Sequence, residues 1–408
     1  MHANASRPPR TGPDPVTSRW LIWLFATFAI THAATNIVRP MVSYRALQLG
    51  VPPEGLGLLA ASFSLAPLVI ALSIGRLVDR RGEMLFLVAG VALMALSTLA
   101  IAAAPSVLVL TVFYALVGLG HLVMVVATQS LVARGSAESG YDRSFGHLSF
   151  SASLGQLLGP AIAALVVGQG SPEETIRALF VAGILGLLGL PLIAAVRPPR
   201  VERAARREEA DATRPPLLAI LRTPGVARAI LVSLTVLSAV DIVVVYLPAL
   251  GEERGWSASL VGGLLAARAA ASMGSRLFLG ALADRFGRRV LLIVSMSVAA
   301  GALVALPFAP SVEMTVVIMI AAGLGLGIGQ PLTMSWVAAE ATPGTRATAL
   351  SVRLMGNRVG QIALPVIAGS VAAFAGAGGV LAVTGAIVAV SLVAVAGGLG
   401  ARGPSNPR

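Results

Sequence analysis

The sequence contains no cysteine and no lysine, and it is poor in charged and aromatic residues. Without cysteine the chain can form no disulfide, no thiolate nucleophile and no cysteine-ligated metal site. Charged residues make up 12% of the 408 positions, which is about half the share found in ordinary soluble proteins. The histidines at 2, 32, 121 and 147 do not have metal-ligand spacing. We therefore expect neither a metal nor a cofactor.

Apolar residues take the place of the missing charge, at 56% of the chain with a mean hydropathy of +0.86. No compact soluble domain has an interior large enough to bury that fraction, so the sequence predicts an integral protein of the lipid bilayer. The net charge of +12 would suggest nucleic acid as the partner of a soluble protein. Arginine in cytoplasmic loops explains it here, and no nucleic-acid partner is expected.

A membrane-spanning helix needs about 20 consecutive apolar residues. Twelve runs meet this criterion, at 20–43, 55–76, 84–104, 106–132, 144–167, 176–196, 227–250, 258–279, 290–309, 314–339, 347–373 and 378–400. We predict an all-α membrane protein of twelve helices. Its predicted parts are a cytoplasmic N-terminal tail at 1–19, six-helix halves at 20–196 and 225–400, a cytoplasmic linker at 197–224 and a C-terminal tail at 401–408.

The loop charges predict the orientation of the chain in the membrane. Connections on one side carry arginines such as Arg80 and Arg285, whereas those on the other carry acids such as Glu252 and Glu313. The positive-inside rule therefore places both termini in the cytoplasm. The high content of alanine, glycine and arginine without lysine indicates a GC-rich genome, which favours a bacterial inner membrane. We expect a monomer.

The two halves repeat each other at a constant offset. The segment GRLVDRRG at 75–82 recurs as GALADRFG at 280–287, which is 205 residues later. The same offset relates Gly118 to Gly323 and Asn36 to Asp241. A single offset that holds over several spans predicts duplicated six-helix units, arranged as parallel repeats about an axis along the membrane normal.

On these residues the sequence resembles the major facilitator superfamily over nearly its whole length. The two repeated segments match the family's loop motif G-x-L-a-D-r-x-G-r-R, the second more fully than the first. The resemblance implies that Asp79 latches the halves together, with Arg353 as its ionic partner, and that Asp284 does so near Asp142 and Arg143. The residues given a gating role are Gly75, Asp79, Arg80, Gly82, Gly280, Asp284, Arg285, Gly287, Arg288 and Arg353.

A second motif bears on the direction of transport. Gly146, Gly155, Gly159 and Pro160 resemble the antiporter motif of drug–proton exporters. We expect these small residues to allow close backbone approach to the opposite half, although ordinary small-residue packing is the alternative. Exporters of this branch carry an arginine in the fourth span, where this chain has Tyr114. That departure leaves the coupling scheme open.

Charges within the membrane are functional candidates, because each costs about 2.5–3.5 kcal/mol on insertion scales. Asp241 is the only acid more than about two turns from a membrane face. A proton-coupled carrier needs such a group, so Asp241 is the candidate proton carrier. The alternative is a permanent ion pair between Asp241 and Arg268 that only stabilises the half.

Arg268 and Arg358 lie near the predicted midplane and are the main candidates for contact with substrate. Guanidinium groups bind carboxylates and phosphates bidentately, and family members that carry carboxylates also have arginine in these two spans. His121 is as well explained by packing as by binding. The remaining candidates for substrate contact are His32, Asn36, Arg39, Tyr114, His121, Asn357 and Gln361.

These residues predict a secondary transporter that works by alternating access and is not an enzyme. Our first hypothesis is proton-coupled antiport, as efflux, of a small organic molecule, for which an anion is one option. The alternative is proton-linked uptake or exchange of an organic anion of the carboxylate type. A non-transporting receptor is a remote third, since two gating loops would then have no use.

Overall fold

The computed structural model describes residues 19–135, 141–198, 225–340 and 346–396. In these ranges the ordered elements are all helical. They are α1 (Arg19–Gln48), α2 (Gly55–Arg81), α3 (Glu83–Ala102), α4 (Val107–Gly135), α5 (Tyr141–Val166), α6 (Pro172–Leu187), α7 (Gly189–Ala194), α8 (Val226–Glu253), α9 (Ala258–Leu277), α10 (Leu279–Phe286), α11 (Arg288–Ala305), a 3₁₀ turn (Leu306–Phe308), α12 (Val312–Glu340) and α13 (Arg346–Ala396). Nearly all of the predicted N-terminal tail and linker, and the whole C-terminal tail, lie outside the described residues.

The helices account for the twelve predicted passes. Nine helical segments of the described ranges are long and apolar enough to cross a membrane, and one of them, Val352–Ala394, is 43 residues long. Non-helical backbone at Gly376 divides α13 into two rods, each of which provides one pass. The other two passes are α2, whose apolar stretch among the described residues includes Gly55–Ile70, and α9, which carries two arginines.

Helix contacts repeat between the halves with the offset seen in the sequence. A side chain at Gly118 would overlap the backbone carbonyl of Phe63, and a side chain at Gly323 would overlap that of Arg268. Both residues of the first pair lie 205 positions before those of the second. Glycines at equivalent positions therefore contact residues at equivalent positions, so the helices of the two halves pack in the same way. Two six-helix halves are thus confirmed.

The halves meet along α1 with α8, α2 with α13, and α5 with α9. We call the end of the bundle that carries residues 49–54, 167–171 and 254–257 the distal face. Contacts between the halves are close there. Gly57 lies against the carbonyl of Pro365, and Ser259 donates hydrogen bonds to the carbonyls of Ala164 (from Oγ, 2.7 Å) and Gly168 (from N–H, 2.9 Å).

Candidate functional site

A cavity of about 180 Å³ lies between the halves at mid-height. Its walls come from both halves, so every movement of one half against the other reshapes it. The lining residues are His32, Thr35, Asn36, Arg39, Phe63, His121, Gln156, Leu237, Val240, Asp241, Val244, Arg268, Leu354, Asn357, Arg358 and Gln361. Eight of the nine predicted substrate-contact residues belong to this set, together with Asp241.

An ion pair joins the two walls of the cavity. The Nη1 atom of Arg39 in α1 lies 2.7 Å from Oδ1 of Asp241 in α8. The other carboxylate oxygen of Asp241 accepts a hydrogen bond of 2.6 Å from Nε2 of Gln361. The alternative interpretation from the sequence, an ion pair between Asp241 and Arg268, was wrong. Arg39 is nearer because α1 and α8 pack against each other at the centre of the molecule.

Two further guanidinium groups face the cavity without a carboxylate. Arg268 is only 3% exposed and makes no hydrogen bond or ion pair with any described residue. Arg358 donates to Oε1 of Gln361 at 3.0 Å. Among the described residues, the lining therefore holds three guanidinium groups and a single carboxylate. In a site screened from water this excess of positive charge favours an anionic ligand.

The N-terminal wall contains a cluster of rings centred on His121. Its imidazole lies 5.0 Å from that of His32 and 5.8 Å from the ring of Phe63, measured between centroids. His121 has no hydrogen-bond partner among the described residues, whereas Nδ1 of His32 bonds the Phe28 carbonyl at 3.1 Å. A ring with unused polar atoms beside a cavity can bind a ligand through stacking and hydrogen bonds.

Tyr114 does not line the cavity, although we expected it to contact substrate. It is 2% exposed and packs behind Phe63, with ring centroids 5.2 Å apart. Phe63 takes its place in the wall. Sequence reasoning from intramembrane polarity missed Phe63, but the repeat could have found it, because Phe63 lies 205 residues before Arg268.

The amides of the lining are already engaged with the protein. Asn36 donates to the His32 carbonyl at 2.8 Å, and Oδ1 of Asn357 accepts from Oγ of Ser233 at 2.8 Å. These bonds fix the orientation of both side chains at the cavity edge. The predicted residues are thus brought together, but both asparagine side chains already form hydrogen bonds with the protein itself.

The small residues of the predicted antiporter motif pack inside their own half. A side chain at Gly155 would overlap His32 and Ala29, and one at Gly159 would overlap Ala33. All three neighbours belong to α1. The expected close approach to the opposite half was wrong at Gly155 and Gly159. At Gly146 an added Cβ would meet no described atom of another element within 4 Å. Pro160 lies inside α5.

The predicted gating residues are described in part. Asp79 and Arg80 lie in α2 with Gly75, but their side chains are outside the described part, as are those of Asp142 and Arg143. Arg353 donates to Gln330 Oε1 at 2.6 Å and to Thr333 Oγ1 at 3.2 Å, both in its own half. The role of these residues as a latch therefore stays a prediction.

The two loop motifs have similar backbone turns. Gly82 follows α2 with a φ of 106°, and Gly287 follows α10 with a φ of 79°. These angles favour glycine, which explains why the repeat keeps it at both positions. In the second motif Gly280, Asp284, Arg285 and Arg288 are exposed.

Comparison with known proteins gives concordant results. A family model described as the Major Facilitator Superfamily matches residues 24–312 and 238–408. The chain is similar to the solved nucleoside transporter NupG, with a TM-score of 0.75, 13% identity, and coverage of 94% of this chain and 100% of that one. No curated protein matched it.

Two other solved transporters have the same fold. One is a bacterial homologue of the human lysosomal transporter Spinster in an inward-facing, unoccupied conformation, with a TM-score of 0.75, 15% identity and coverage of 95% and 96%. The other is a POT family transporter in complex with 5-aminolevulinic acid, with a TM-score of 0.74, 13% identity and coverage of 92% and 95%. At these identities the likeness shows the fold alone.

Proposed function

The chain belongs to the Major Facilitator Superfamily of membrane transporters, and from this premise we propose that it carries a small organic anion together with a proton. Transport proceeds by alternating access to the cavity between the halves. The observation that carries the proposal is the charge of the lining. Within the described ranges, Arg268 and Arg358 have no carboxylate partner, and the one carboxylate of the lining is paired with Arg39.

The anion binds to the guanidinium groups of Arg268 and Arg358. Burial of an unpaired charge costs several kcal/mol in principle, so a protein that keeps Arg268 almost fully buried gains from a ligand that neutralises it. A carboxylate suits the planar fork of an arginine better than other common anions except phosphate. A cationic substrate would instead meet three positive groups.

The proton binds to Asp241. While this carboxylate is ionised it neutralises Arg39 at 2.7 Å. Protonation removes the negative charge and frees Arg39 as a third group for the anion. Proton and anion therefore favour each other's binding, as linkage requires, and they travel in the same direction. This argument favours the second of the sequence-based hypotheses over antiport.

Proton-coupled antiport is the second candidate, with export of the organic molecule. The sequence Gly146, Gly155, Gly159 and Pro160, which resembles the exporter motif, is the observation in its favour. In this scheme substrate and proton compete, so the substrate must displace the proton from Asp241 rather than join it. The two schemes predict opposite proton movements for the same anion gradient.

We also propose a monomer in a bacterial inner membrane, with both termini in the cytoplasm. The arginine-rich connections near Arg80 and Arg285, against the acids Glu252 and Glu313 at the other face, support this orientation.

The test uses the purified protein in liposomes with a pH-sensitive dye in the lumen. An inward gradient of an organic anion, without an imposed pH difference, should acidify the lumen if proton and anion move together, and make it alkaline if they exchange. Asp241→Asn should abolish the pH change, but the variant should still exchange labelled anion on one side of the membrane for unlabelled anion on the other. Glu313→Gln, an acid outside the cavity, is the matched control and should behave as wild type.

Each result decides one part of the proposal. If the protein transported none of the carboxylates tested, the proposal of anion transport would be overturned. A pH change that persists in Asp241→Asn would overturn the role of Asp241 as the proton site. Loss of anion uptake in Arg268→Gln, but not in Arg228→Gln on the exposed surface of α8, would support binding at Arg268.

A further inference from the structure

We infer that the substrate is an aromatic carboxylate with a hydrogen-bonding group on its ring, held with the carboxylate toward the C-terminal half and the ring toward the N-terminal half. This inference rests on the proposed function and adds the substrate class and its orientation. It follows from the unequal chemistry of the two cavity walls.

Equivalent positions of the two halves differ in charge. Asn36 is equivalent to Asp241, and Phe63 to Arg268, at the offset of 205 residues. All four residues line the cavity. At each of these two positions the N-terminal half presents an uncharged side chain and the C-terminal half a charged one. A ligand that complements both walls therefore has an acidic group at one end and an uncharged group at the other.

The charge on the N-terminal wall does not alter this polarity. Its only cation among the described lining residues is Arg39, whose guanidinium reaches across the cavity to Asp241 of the C-terminal wall at 2.7 Å. When protonation of Asp241 frees this guanidinium, it therefore acts at the C-terminal wall together with Arg268 and Arg358. The guanidinium of Arg39 also lies over the ring of Phe63, 5.2 Å from its centroid. The unpaired cation of lowest exposure, Arg268, belongs to the opposite wall. The acidic end of the ligand is thus directed to the C-terminal half.

The uncharged wall is made of rings. The imidazole of His121 lies between the other two rings, with its centroid 5.0 Å from that of His32 and 5.8 Å from that of Phe63. Aromatic groups prefer offset or edge-to-face contact with other aromatic groups at centroid distances of about 4.5–7 Å. A planar ring continues this cluster better than a flexible alkyl chain does, and it loses less conformational freedom on binding.

The nitrogen atoms of His121 allow the site to distinguish ligands by the polar substituents on the ligand's ring. His121 forms no hydrogen bond with any described residue, although it lines the cavity. A buried polar group without a partner is costly, and a ligand that supplies one is selected over an analogue that does not. A hydroxyl on the ring, opposite the carboxylate, would supply this partner. Simple probes of the class are benzoate and 4-hydroxybenzoate.

The experiment measures uptake of four anions by the full-length protein in liposomes: 4-hydroxybenzoate, benzoate, cyclohexanecarboxylate and propanoate. We expect half-saturating concentrations to rise in that order, with benzoate about 3- to 10-fold below cyclohexanecarboxylate. Phe63→Leu should remove the preference for benzoate over cyclohexanecarboxylate. His121→Phe keeps a ring but removes the nitrogens, and it should remove only the preference for 4-hydroxybenzoate over benzoate.

Phe374→Leu is the matched control, because Phe374 is 92% exposed on the outer surface of α13. It should leave all four values unchanged. Equal uptake of propanoate and benzoate by the wild-type protein would overturn the aromatic substrate class and leave anion transport standing. Absence of uptake for all four anions would overturn both proposals. The wild-type comparison alone decides the class, so the test does not depend on the folding of a variant.

Discussion

The ion pair between Arg39 and Asp241 sets the balance of charge at the centre of the molecule. Its two partners come from different halves, α1 and α8, and they lie 2.7 Å apart. Breaking a buried pair by removing one partner leaves an uncompensated charge and costs about 3–5 kcal/mol in soluble proteins, whereas removal of both charges costs less. The pair is therefore a structural as well as a functional feature.

We predict that the double variant of Arg39→Gln and Asp241→Asn lowers the free energy of unfolding by less than the sum of the losses in the two single variants. The coupling free energy should be about 0.5–3 kcal/mol. Reversible unfolding in mixed micelles measures it. Arg228→Gln with Glu313→Gln is the control, because these residues lie on different helices with no ion pair between them, and their effects should add. Additive losses at Arg39 and Asp241 would contradict the prediction.

Arg276 completes the backbone hydrogen bonding of a helix that contains a proline. Pro331 in α12 has no N–H, so it cannot bond the carbonyl of Gly327 four residues earlier. Nε of Arg276 donates to that carbonyl at 2.9 Å, and its Nη1 donates to Ser153 of the other half at 2.7 Å. One side chain thus stabilises α12 and also joins α9 to α5.

We predict that Arg276→Met destabilises the protein by about 1–3 kcal/mol, the usual cost of a buried polar group left without its partner. Restoring the backbone N–H with Pro331→Ala should reduce this cost, since the Gly327 carbonyl then has a donor within α12. Unfolding of the two single variants and the double variant measures the difference. The same loss in both backgrounds would contradict the assignment.

The charged members of the site could be found from sequence because charge is rare within the spans. Asp241, Arg268 and Arg358 were identified in this way, and all three line the cavity. The partner of Asp241 could not be predicted, because hydropathy does not specify which helices adjoin at the centre. Phe63 gave no polar signal, and only its equivalence to Arg268 in the repeat identifies it.

At the scale of the helix, glycine determines how closely two helices approach. Gly118 admits the carbonyl of Phe63 within the N-terminal half, whereas Gly57 admits the carbonyl of Pro365 from the opposite half. Small residues permit such approaches in membrane proteins. The two contacts nevertheless behave differently during transport. The contact at Gly118 lies within one half and persists, whereas the contact at Gly57 joins the two halves and must break when the distal face opens.

We predict that Gly118→Ala and Gly57→Ala have different effects. Gly118→Ala should lower the thermal stability of the protein, because overpacking within a close-packed interior costs about 1–3 kcal/mol. Gly57→Ala should change stability less and instead favour the state in which the distal face is open. Thermal unfolding and accessibility of a cysteine placed near residue 54 to a bulky impermeant reagent measure these effects.

Gly263→Ala is the control for both glycine variants, because nothing lies within 4 Å of its added methyl group. It should change neither stability nor accessibility. Equal destabilisation by Gly57→Ala and Gly118→Ala, with no change in accessibility, would show that the contact at Gly57 is as permanent as the one at Gly118.

The helices themselves were largely predictable, whereas their packing partners were not. Apolar length gave the twelve passes, even for α9, whose arginines lower its hydropathy. The motif at Gly155 and Gly159 indicated a close contact but not its partner, which is α1 of the same half. Small residues mark a place where helices approach, and the fold decides which helix approaches.

The whole molecule consists of two similar halves with unequal walls. The offset of 205 residues predicted the two halves, and equivalent glycine contacts recur in both. Within this symmetric frame the charged groups concentrate in the C-terminal wall, and one ion pair crosses the cavity. Symmetry allows the halves to move as similar bodies about the site, and the unequal walls give the ligand a fixed orientation within it.

Closure of the distal face can be tested directly because the native chain has no cysteine. An ideal Cβ at Gly262 in α9 would lie 3.0 Å from the Cβ of Ala164 in α5, close to the separation of about 3.5–4.5 Å found in disulfides. We predict that a variant with Ala164→Cys and Gly262→Cys forms a disulfide under mild oxidation. The bond should hold the distal face closed and abolish transport.

Reduction should restore transport in the doubly substituted protein, and each single cysteine variant should transport anion with or without oxidant. Transport requires the distal face to open in every cycle if alternating access operates, so a covalent link there stops the cycle even though the cavity stays intact. Binding of anion, measured by thermal stabilisation, should therefore persist in the oxidised protein. Undiminished transport after complete crosslinking would contradict movement of the halves at this face.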